Sequence, residues 1–173
     1  MEIELTPIPD LYLIKPRVHE DERGFFYESY HHTNYFGYNF VQDNVSKSAK
    51  NIIRGLHFQT GDFAQAKLVQ VIHGIVLDVV IDLRPKSPTF EQSCFAILSD
   101  ENKKQFLIPR GFAHGFAVLS DYAIFHYKCD NYYSKEHEGG INPFDPYFNI
   151  DWEIPMEHAI LSEKDKNWPS YAI

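Results

Sequence analysis

The sequence predicts an all-β protein, a β-barrel or jelly roll followed by a loop-rich C-terminal tail with short helices. Short segments rich in Val, Ile, Phe and Tyr alternate with turn residues, and no long segment has helical periodicity. Hydrophobic residues make up 44% of the 173 residues, enough for a sizeable core. We find no internal repeat or linker, so the sequence predicts a single domain over residues 1–173.

Nine segments have the apolar content and length of β-strands. They are residues 11–17, 24–29, 52–59, 67–72, 76–83, 93–98, 105–108, 115–119 and 122–129. The dipeptides at 73–74 and 120–121 predict tight hairpin turns. The polar segment 30–37 predicts one short helix. The chain after Asn131 is rich in proline and aromatic residues, which predicts loops around the β-core and a final helical turn.

Composition excludes several classes of function. Lys and Arg number 16 against 24 Asp and Glu, a net charge of −8, so we expect no nucleic-acid partner. The first residues lack the basic start and apolar run of a secretory signal, and Cys94 and Cys129 are too few for a disulfide scaffold. Polar residues interrupt the longest apolar stretch, 69–83, so we expect no membrane span. These features predict a cytoplasmic protein.

His57 is the first candidate for a chemical role. In the segment 54–59, strict alternation places His57 and Gly55 on one face and Leu56 and Phe58 on the other. If the apolar face packs against one layer, His57 points into the opposite space, which in a barrel is its interior. This segment alone favours the alternative, a histidine that is merely hydrogen-bonded within the core.

Two further polar positions occur in otherwise apolar strands. Asp78 is costly to bury unless it is paired, and Lys67 across the hairpin is a candidate partner. The alternative is an edge strand on which solvent hydrates Asp78. Tyr127 shares a face with Ala123 and Phe125, which is typical of an ordinary core tyrosine.

The turn at 109–115, Pro-Arg-Gly-Phe-Ala-His-Gly, resembles the second motif of the cupin family of small β-barrels. Metal-binding cupins carry His-x-His and a carboxylate in their first motif. Here the first motif has only His57, and Gln65 and Lys67 stand near the carboxylate position. An ammonium repels a cation and glutamine is a weak ligand for transition metals, so we expect no catalytic metal.

Nine segments together resemble the dTDP-4-dehydrorhamnose 3,5-epimerases, a metal-independent branch of the cupins. They are residues 21–26, 40–44, 54–59, 65–69, 78–84, 87–90, 109–116, 127–133 and 161–165. Because the matches occur in order over nearly the whole chain, the resemblance is specific. It implies epimerisation of a dTDP-4-keto-6-deoxyhexose at C3 and C5 through an enolate, with no cofactor, and it implies a homodimer.

The resemblance also implies catalytic roles. The residue matching His57 is the base, and the one matching Asp165 hydrogen-bonds it and stabilises the imidazolium. The residue matching Lys67 stabilises the enolate oxygen at C4. The residue matching Tyr127 is the acid on the opposite face of the sugar. Asp78 is implied to orient the lysine.

Further positions match the nucleotide-binding half of the family's site. Arg23 and Arg54 are the cations expected on the diphosphate, because a guanidinium suits phosphate oxygens. Glu28, Gln42 and Asn44 match positions that meet the thymidine. A few converging cations suffice for a dianionic ligand, so the net charge of −8 is no objection.

Two more site residues and three departures complete the comparison. Tyr133 is expected near the nucleotide or the sugar, and His114 near the sugar or the network around the lysine. Arg110 stands where an acidic residue is common, Gly139 where a basic one is common, and Val45 where histidine is common. Epimerases that invert only C3 or only C5, sugar 3,4-ketoisomerases and non-catalytic sugar-binding cupins remain alternatives.

Overall fold

The computed structural model describes residues 1–171, which form thirteen β-strands and one short α-helix. The strands are β1 (Glu2–Leu5), β2 (Tyr12–Lys15), β3 (Val18–Asp21), β4 (Gly24–Tyr27), β5 (Gln42–Ala49), β6 (Ile53–Gln59), β7 (Lys67–His73), β8 (Ile75–Asp82), β9 (Ser93–Ser99), β10 (Gln105–Ile108), β11 (Phe112–Val118), β12 (Tyr122–Cys129) and β13 (Glu138–Gly140). The helix α1 is Glu163–Lys166. The prediction of an all-β chain with a final helical turn is confirmed.

Two antiparallel sheets form the barrel. The larger sheet has the strand order β1-β2-β10-β7-β12-β5, and the smaller has the order β13-β6-β11-β8-β9. A separate ribbon pairs β3 with β4. Each residue of β11 is buried because the strand lies between β6 and β8 and is covered on both faces.

The core has three parts. Val71 and Phe125 of the larger sheet face Val80 and Phe116 of the smaller one across the barrel interior. The opposite face of the smaller sheet packs under the C-terminal segment, where Trp152 is 1% exposed. A third cluster covers the outer face of the larger sheet. The C-terminal segment therefore completes the hydrophobic core, with each large buried side chain contributing about 1.5–3 kcal/mol.

Four strands were not predicted from the sequence. They are β1, β3, β5 and β13. The polar segment Gln42–Ala49 is a strand because eight of its residues pair with β12, and its alternating exposure is that of an edge strand. Segment 30–37 holds only a 3-10 turn, His32–Asn34. Strand β11 begins at Phe112 instead of the predicted residue 115.

The chain turns at 73–74, between β7 and β8, and at 120–121, between β11 and β12, as predicted. The two strands at each turn enter different sheets instead of pairing with each other, so the prediction of hairpins is wrong. Gly74 has a φ of +87°, a conformation that favours glycine. Within residues 1–171, no helix has the length and apolar content needed to cross a membrane.

Candidate active site

Two adjoining cavities open into the barrel interior between the sheets. One has a volume of about 520 Å³ and the other of about 270 Å³. Asn44, His57, Lys67 and Tyr127 line both cavities. Three predicted catalytic side chains, from β6, β7 and β12, therefore meet around one space.

His57 forms a short contact with the tail. Its Nε2–H donates to Oδ1 of Asp165 over 2.6 Å, and the Asp165 side chain is 3% exposed. Although burial acts in the opposite direction, the hydrogen bonds from His57 and Ser162 hold the pKa of Asp165 below its ordinary value. Since Nε2 carries the proton, Nδ1 is the ring nitrogen that is free to accept one.

The helix α1 presents this carboxylate to the barrel. Ser162 is the N-cap, and its Oγ accepts from the backbone N–H of Asp165 over 3.1 Å. The cap fixes the first turn of a helix too short to be stable alone. Asp165 is thereby held against β6, far from His57 in sequence.

Two glycines, Gly55 of β6 and Gly115 of β11, approach each other closely near His57. Gly55 has a φ of +133°, and a Cβ there would lie 2.5 Å from Cα of Gly115. The register between β6 and β11 shifts at this point. The face prediction for His57 is confirmed, but Arg54, which strict alternation would place opposite, also lines the cavity.

Lys67 is the first residue of β7 and lies between Ile108 of β10 and Cys129 of β12. Burial lowers the pKa of its ammonium group, and the negative charges of Asp78 and other neighbours oppose that shift. Within residues 1–171 its side chain makes no hydrogen bond. An ammonium without a protein partner is available to a ligand oxygen in the cavity.

Asp78 is fully buried, so the solvent-exposed alternative is wrong. Its hydrogen-bond partner is His114 instead of Lys67. The His114 Nε2 lies 2.9 Å from Oδ2 and 3.0 Å from Oδ1 of Asp78. Burial raises the pKa of Asp78 and lowers that of His114. Lys67 acts on Asp78 only through its charge, because β7 and β8 diverge into different sheets.

Tyr127 shares the interior face of β12 with Ala123 and Phe125, as the alternation predicts. Its hydroxyl has no hydrogen-bond partner within residues 1–171, which differs from an ordinary core tyrosine. Burial raises the pKa of the phenol, so it stays protonated at neutral pH. The hydroxyl is a proton donor directed at the cavity.

Most of the predicted nucleotide contacts lie near this space. Arg54 lines the larger cavity, and its Nε donates to Ser48 Oγ over 2.9 Å. Gln42 and Tyr133 line the smaller cavity. Arg23 and Glu28 line neither cavity; they border two separate surface pockets near β3 and β4.

Glu138 is a cavity residue that sequence reasoning missed. One carboxylate oxygen accepts from Tyr133 Oη over 3.0 Å and the other from Lys164 Nζ over 2.7 Å. It lies in the three-residue strand β13, beside Gly139, which packs against the Phe58 ring. A strand of three residues is too short to show an alternation pattern, so the sequence carried no signal for Glu138.

In residues 1–171, no group of three or more His, Cys, Asp or Glu side chains is arranged to hold a metal ion. The chemistry that the residues offer is proton transfer beside a polarised oxygen. A histidine ordered by a carboxylate, an ammonium and a neutral phenol supply a base, an oxyanion partner and an acid. This combination within a double-sheet β-barrel defines an isomerase that acts next to a carbonyl group.

Comparisons with known proteins specify the family. The family model for dTDP-4-dehydrorhamnose 3,5-epimerase matches residues 5–172. The dTDP-4-dehydrorhamnose 3,5-epimerase of Escherichia coli K12 is 49% identical over 171 residues, which cover 96% of this chain and 92% of that protein. The chain belongs to the dTDP-4-dehydrorhamnose 3,5-epimerase family, and the predicted family, fold class and enzyme class are confirmed.

Solved structures agree with this assignment. The crystal structure of dTDP-4-dehydrorhamnose 3,5-epimerase from Elizabethkingia anophelis NUHP1 has a TM-score of 0.94 and 52% identity, and the match covers 99% of this chain and 96% of that one. That of the dTDP-6-deoxy-D-glucose-3,5-epimerase of Legionella pneumophila Philadelphia 1, in complex with dTDP-4-keto-L-rhamnose, has a TM-score of 0.91 and 50% identity. The match covers 95% of this chain and 89% of that one.

Proposed function

We propose that this chain epimerises a dTDP-4-keto-6-deoxyhexose at both C3 and C5, as in the making of dTDP-L-rhamnose. One observation carries the proposal: His57, Lys67 and Tyr127 line the same two cavities, with Asp165 bonded to the histidine. Both carbons adjoin the C4 ketone, so one base, one oxyanion partner and one acid serve both inversions.

His57 begins each inversion. Its Nδ1 takes the proton from the sugar carbon, and the electron pair of the broken C–H bond moves through the new C=C bond to the C4 oxygen. The Asp165 carboxylate stabilises the imidazolium that forms and keeps the proton on Nε2. The pKa of Asp165 lies below its ordinary value, so the carboxylate stays ionised throughout.

Lys67 and Tyr127 complete the inversion. The Lys67 ammonium stabilises the enolate oxygen, and a well-placed donor of this kind contributes about 3–4 kcal/mol. The phenol of Tyr127 then gives its proton to the opposite face of the same carbon, and the electron pair returns from oxygen to re-form the ketone. Solvent reprotonates the tyrosinate and removes the proton from His57. These proton transfers require no cofactor.

The nucleotide part of the substrate is bound by residues that line the two cavities. Arg54 contacts the diphosphate, and Gln42, Asn44 and Tyr133 contact the thymidine, which accounts for their places on the cavity walls. His114 supports the sugar side through Asp78.

We further propose that the chain acts as a cytoplasmic homodimer of single-domain subunits. Arg23 and Glu28 are separated from their own cavity, and Phe25 and Phe26 on the same ribbon are 58% and 71% exposed. In the dimer this ribbon meets the second subunit, which covers the exposed aromatic rings. Light scattering should give about twice the mass of 20.2 kDa; the mass of one chain at micromolar concentration would contradict the dimer.

Incubation with dTDP-4-keto-6-deoxyglucose in heavy water tests the reaction. NMR should find deuterium at C3 and C5 and a product inverted at both. Deuterium at one carbon alone would identify a single-site epimerase, and movement of the keto group would identify a ketoisomerase. Binding of dTDP with no exchange at either carbon would identify a non-catalytic protein.

A further inference from the structure

Lys67 is the first residue of β7, and the backbone at the end of a strand is held by fewer ladder hydrogen bonds than the backbone in its middle. The register pairs Lys67 with Ile108 on one side and Cys129 on the other. No protein group within residues 1–171 hydrogen-bonds the ammonium. The backbone at the start of β7 therefore decides where the ammonium lies.

Asp130 extends the pairing one step beyond the end of β12. Its backbone N–H donates to the carbonyl oxygen of Ala66 over 3.1 Å, and its Oδ1 accepts from the Ala66 N–H over 2.6 Å. Both backbone polar groups of the residue before Lys67 are thus bound by one aspartate. The Asp130 side chain is 8% exposed, so water competes poorly for these bonds.

Arg110 reaches Asp130 from the other neighbouring strand. It follows the end of β10, and its Nε donates to Oδ2 of Asp130 over 2.9 Å. Since β7 lies between β10 and β12 in the sheet, the ion pair spans the beginning of β7. We call Arg110, Asp130 and Ala66 the β7 clasp.

We propose that the β7 clasp is a positioning device that sets the place of Lys67 in the cavity. This inference rests on the proposed function, in which Lys67 stabilises the enolate oxygen. Neither Arg110 nor Asp130 lines the two cavities, so both act through the backbone of Ala66. Ordinary exposed ion pairs contribute little, but this pair orders a carboxylate that itself binds a backbone N–H. A misplacement of about 1 Å at a catalytic group costs about 100-fold in rate.

The test compares three variants of the full-length chain. Asp130→Ala removes the carboxylate, and kcat should fall about 10-fold. Deuterium incorporation at C3 and C5 should slow equally, because Lys67 serves both enolates, while KM and the affinity for dTDP stay unchanged. Asp130→Asn keeps an acceptor for the Ala66 N–H and should recover most of the rate. Arg110→Gln should lower kcat about 2-fold.

The control is Glu4→Gln, which breaks the exposed Lys104–Glu4 ion pair of 2.9 Å and should leave kcat unchanged. Wild-type kcat in Asp130→Ala would overturn the inference. So would a joint loss of kcat and dTDP affinity that Asp130→Asn does not recover, since that pattern indicates general damage.

Two further comparisons distinguish failure of the inference from a folding defect and from failure of the proposed function. If Asp130→Ala does not fold, Asp130→Asn and Arg110→Gln decide: a lower kcat at constant KM in Arg110→Gln supports the clasp, and wild-type kcat in both variants overturns it. Full activity in Lys67→Met would instead contradict the proposed role of Lys67 itself.

Discussion

Two histidine–carboxylate pairs lie side by side on neighbouring strands, because His57 of β6 and His114 of β11 are register partners. The His57 side chain is 29% exposed and takes its carboxylate from the tail, whereas that of His114 is 8% exposed and takes its carboxylate from β8. Burial lowers the pKa of His114, so this ring resists becoming an imidazolium. The pairs have the same composition, but the His57 ring is the more exposed, and its carboxylate partner has a lowered pKa whereas that of His114 has a raised one, so His57 is better suited to act as a base.

Removing each histidine gives the largest expected contrast. His57→Ala should reduce deuterium incorporation at both carbons about 1,000-fold, the scale of general-base catalysis. His114→Asn should cost about 10-fold, because it disturbs the network near Lys67 without removing the base. NMR in heavy water measures both. His73→Asn, on an exposed histidine outside the cavities, is the matched control; equal losses at His57 and His114 would contradict the contrast.

The two carboxylates should differ in the same way. Asp165→Asn should lower kcat about 100-fold or more, because the amide favours the wrong tautomer of His57. Asp78→Asn should lower it about 10-fold, through Lys67. A double-mutant cycle with Lys67→Met, itself costing about 100-fold, checks this route. If Asp78→Asn still cost 10-fold in the Lys67→Met background, its effect would not pass through the lysine.

Tyr127→Phe removes the proposed acid and leaves the His57–Asp165 pair in place. Inverted product should fall about 100-fold, since the opposite-face donor is gone. Deuterium should still enter with retained configuration, because in the proposed mechanism His57 takes and returns protons on one face. Comparing the deuterium content of recovered substrate with the yield of epimer separates the two steps. Loss of exchange together with loss of product would mean that the phenol itself is the base.

The smallest effect is on stability, and it has opposite signs in the two pairs. The pKa of folded Asp165 lies below the ordinary 3.8, so its contribution is present above pH 3.8 and is lost as the pH falls through the folded pKa. The pKa of folded Asp78 is raised, so its ionisation destabilises the fold as the pH rises above 3.8. On acidification, the Tm deficit of Asp165→Asn should shrink. That of Asp78→Asn should grow, and parallel Tm curves would contradict this difference.

The sequence predicted most of the interior strands, because alternation is a local signal, and the family resemblance named side chains that the structure brings together around the cavities. It missed β5 and β13, since polar or very short edge strands acquire their structure from a neighbouring strand. It also assigned the wrong partner to Asp78. A hairpin would have placed Lys67 opposite this part of β8, but strands β7 and β8 enter different sheets, and the His114 contact depends on that topology.

Arg54 was predicted by resemblance, whereas its place on the cavity side depended on a register shift that alternation cannot anticipate. Glu138 was missed for a related reason, because its three-residue strand forms by pairing with β6, a partner that local sequence does not indicate. The ion pair between Arg110 and Asp130 could not be foreseen either, since it joins the ends of two strands that are neighbours of a third.

The position of Asp165 has a consequence for how the enzyme is made. All thirteen described strands end by Gly140, and the residue that orders the base comes later, in α1. As the chain leaves the ribosome, every strand of the barrel emerges before Asp165, whose carboxylate hydrogen-bonds the proposed base His57. A polypeptide that stops before Ser162 would keep the residues that line the two cavities but lack the carboxylate, so we expect it to turn the sugar nucleotide over far more slowly than the full chain.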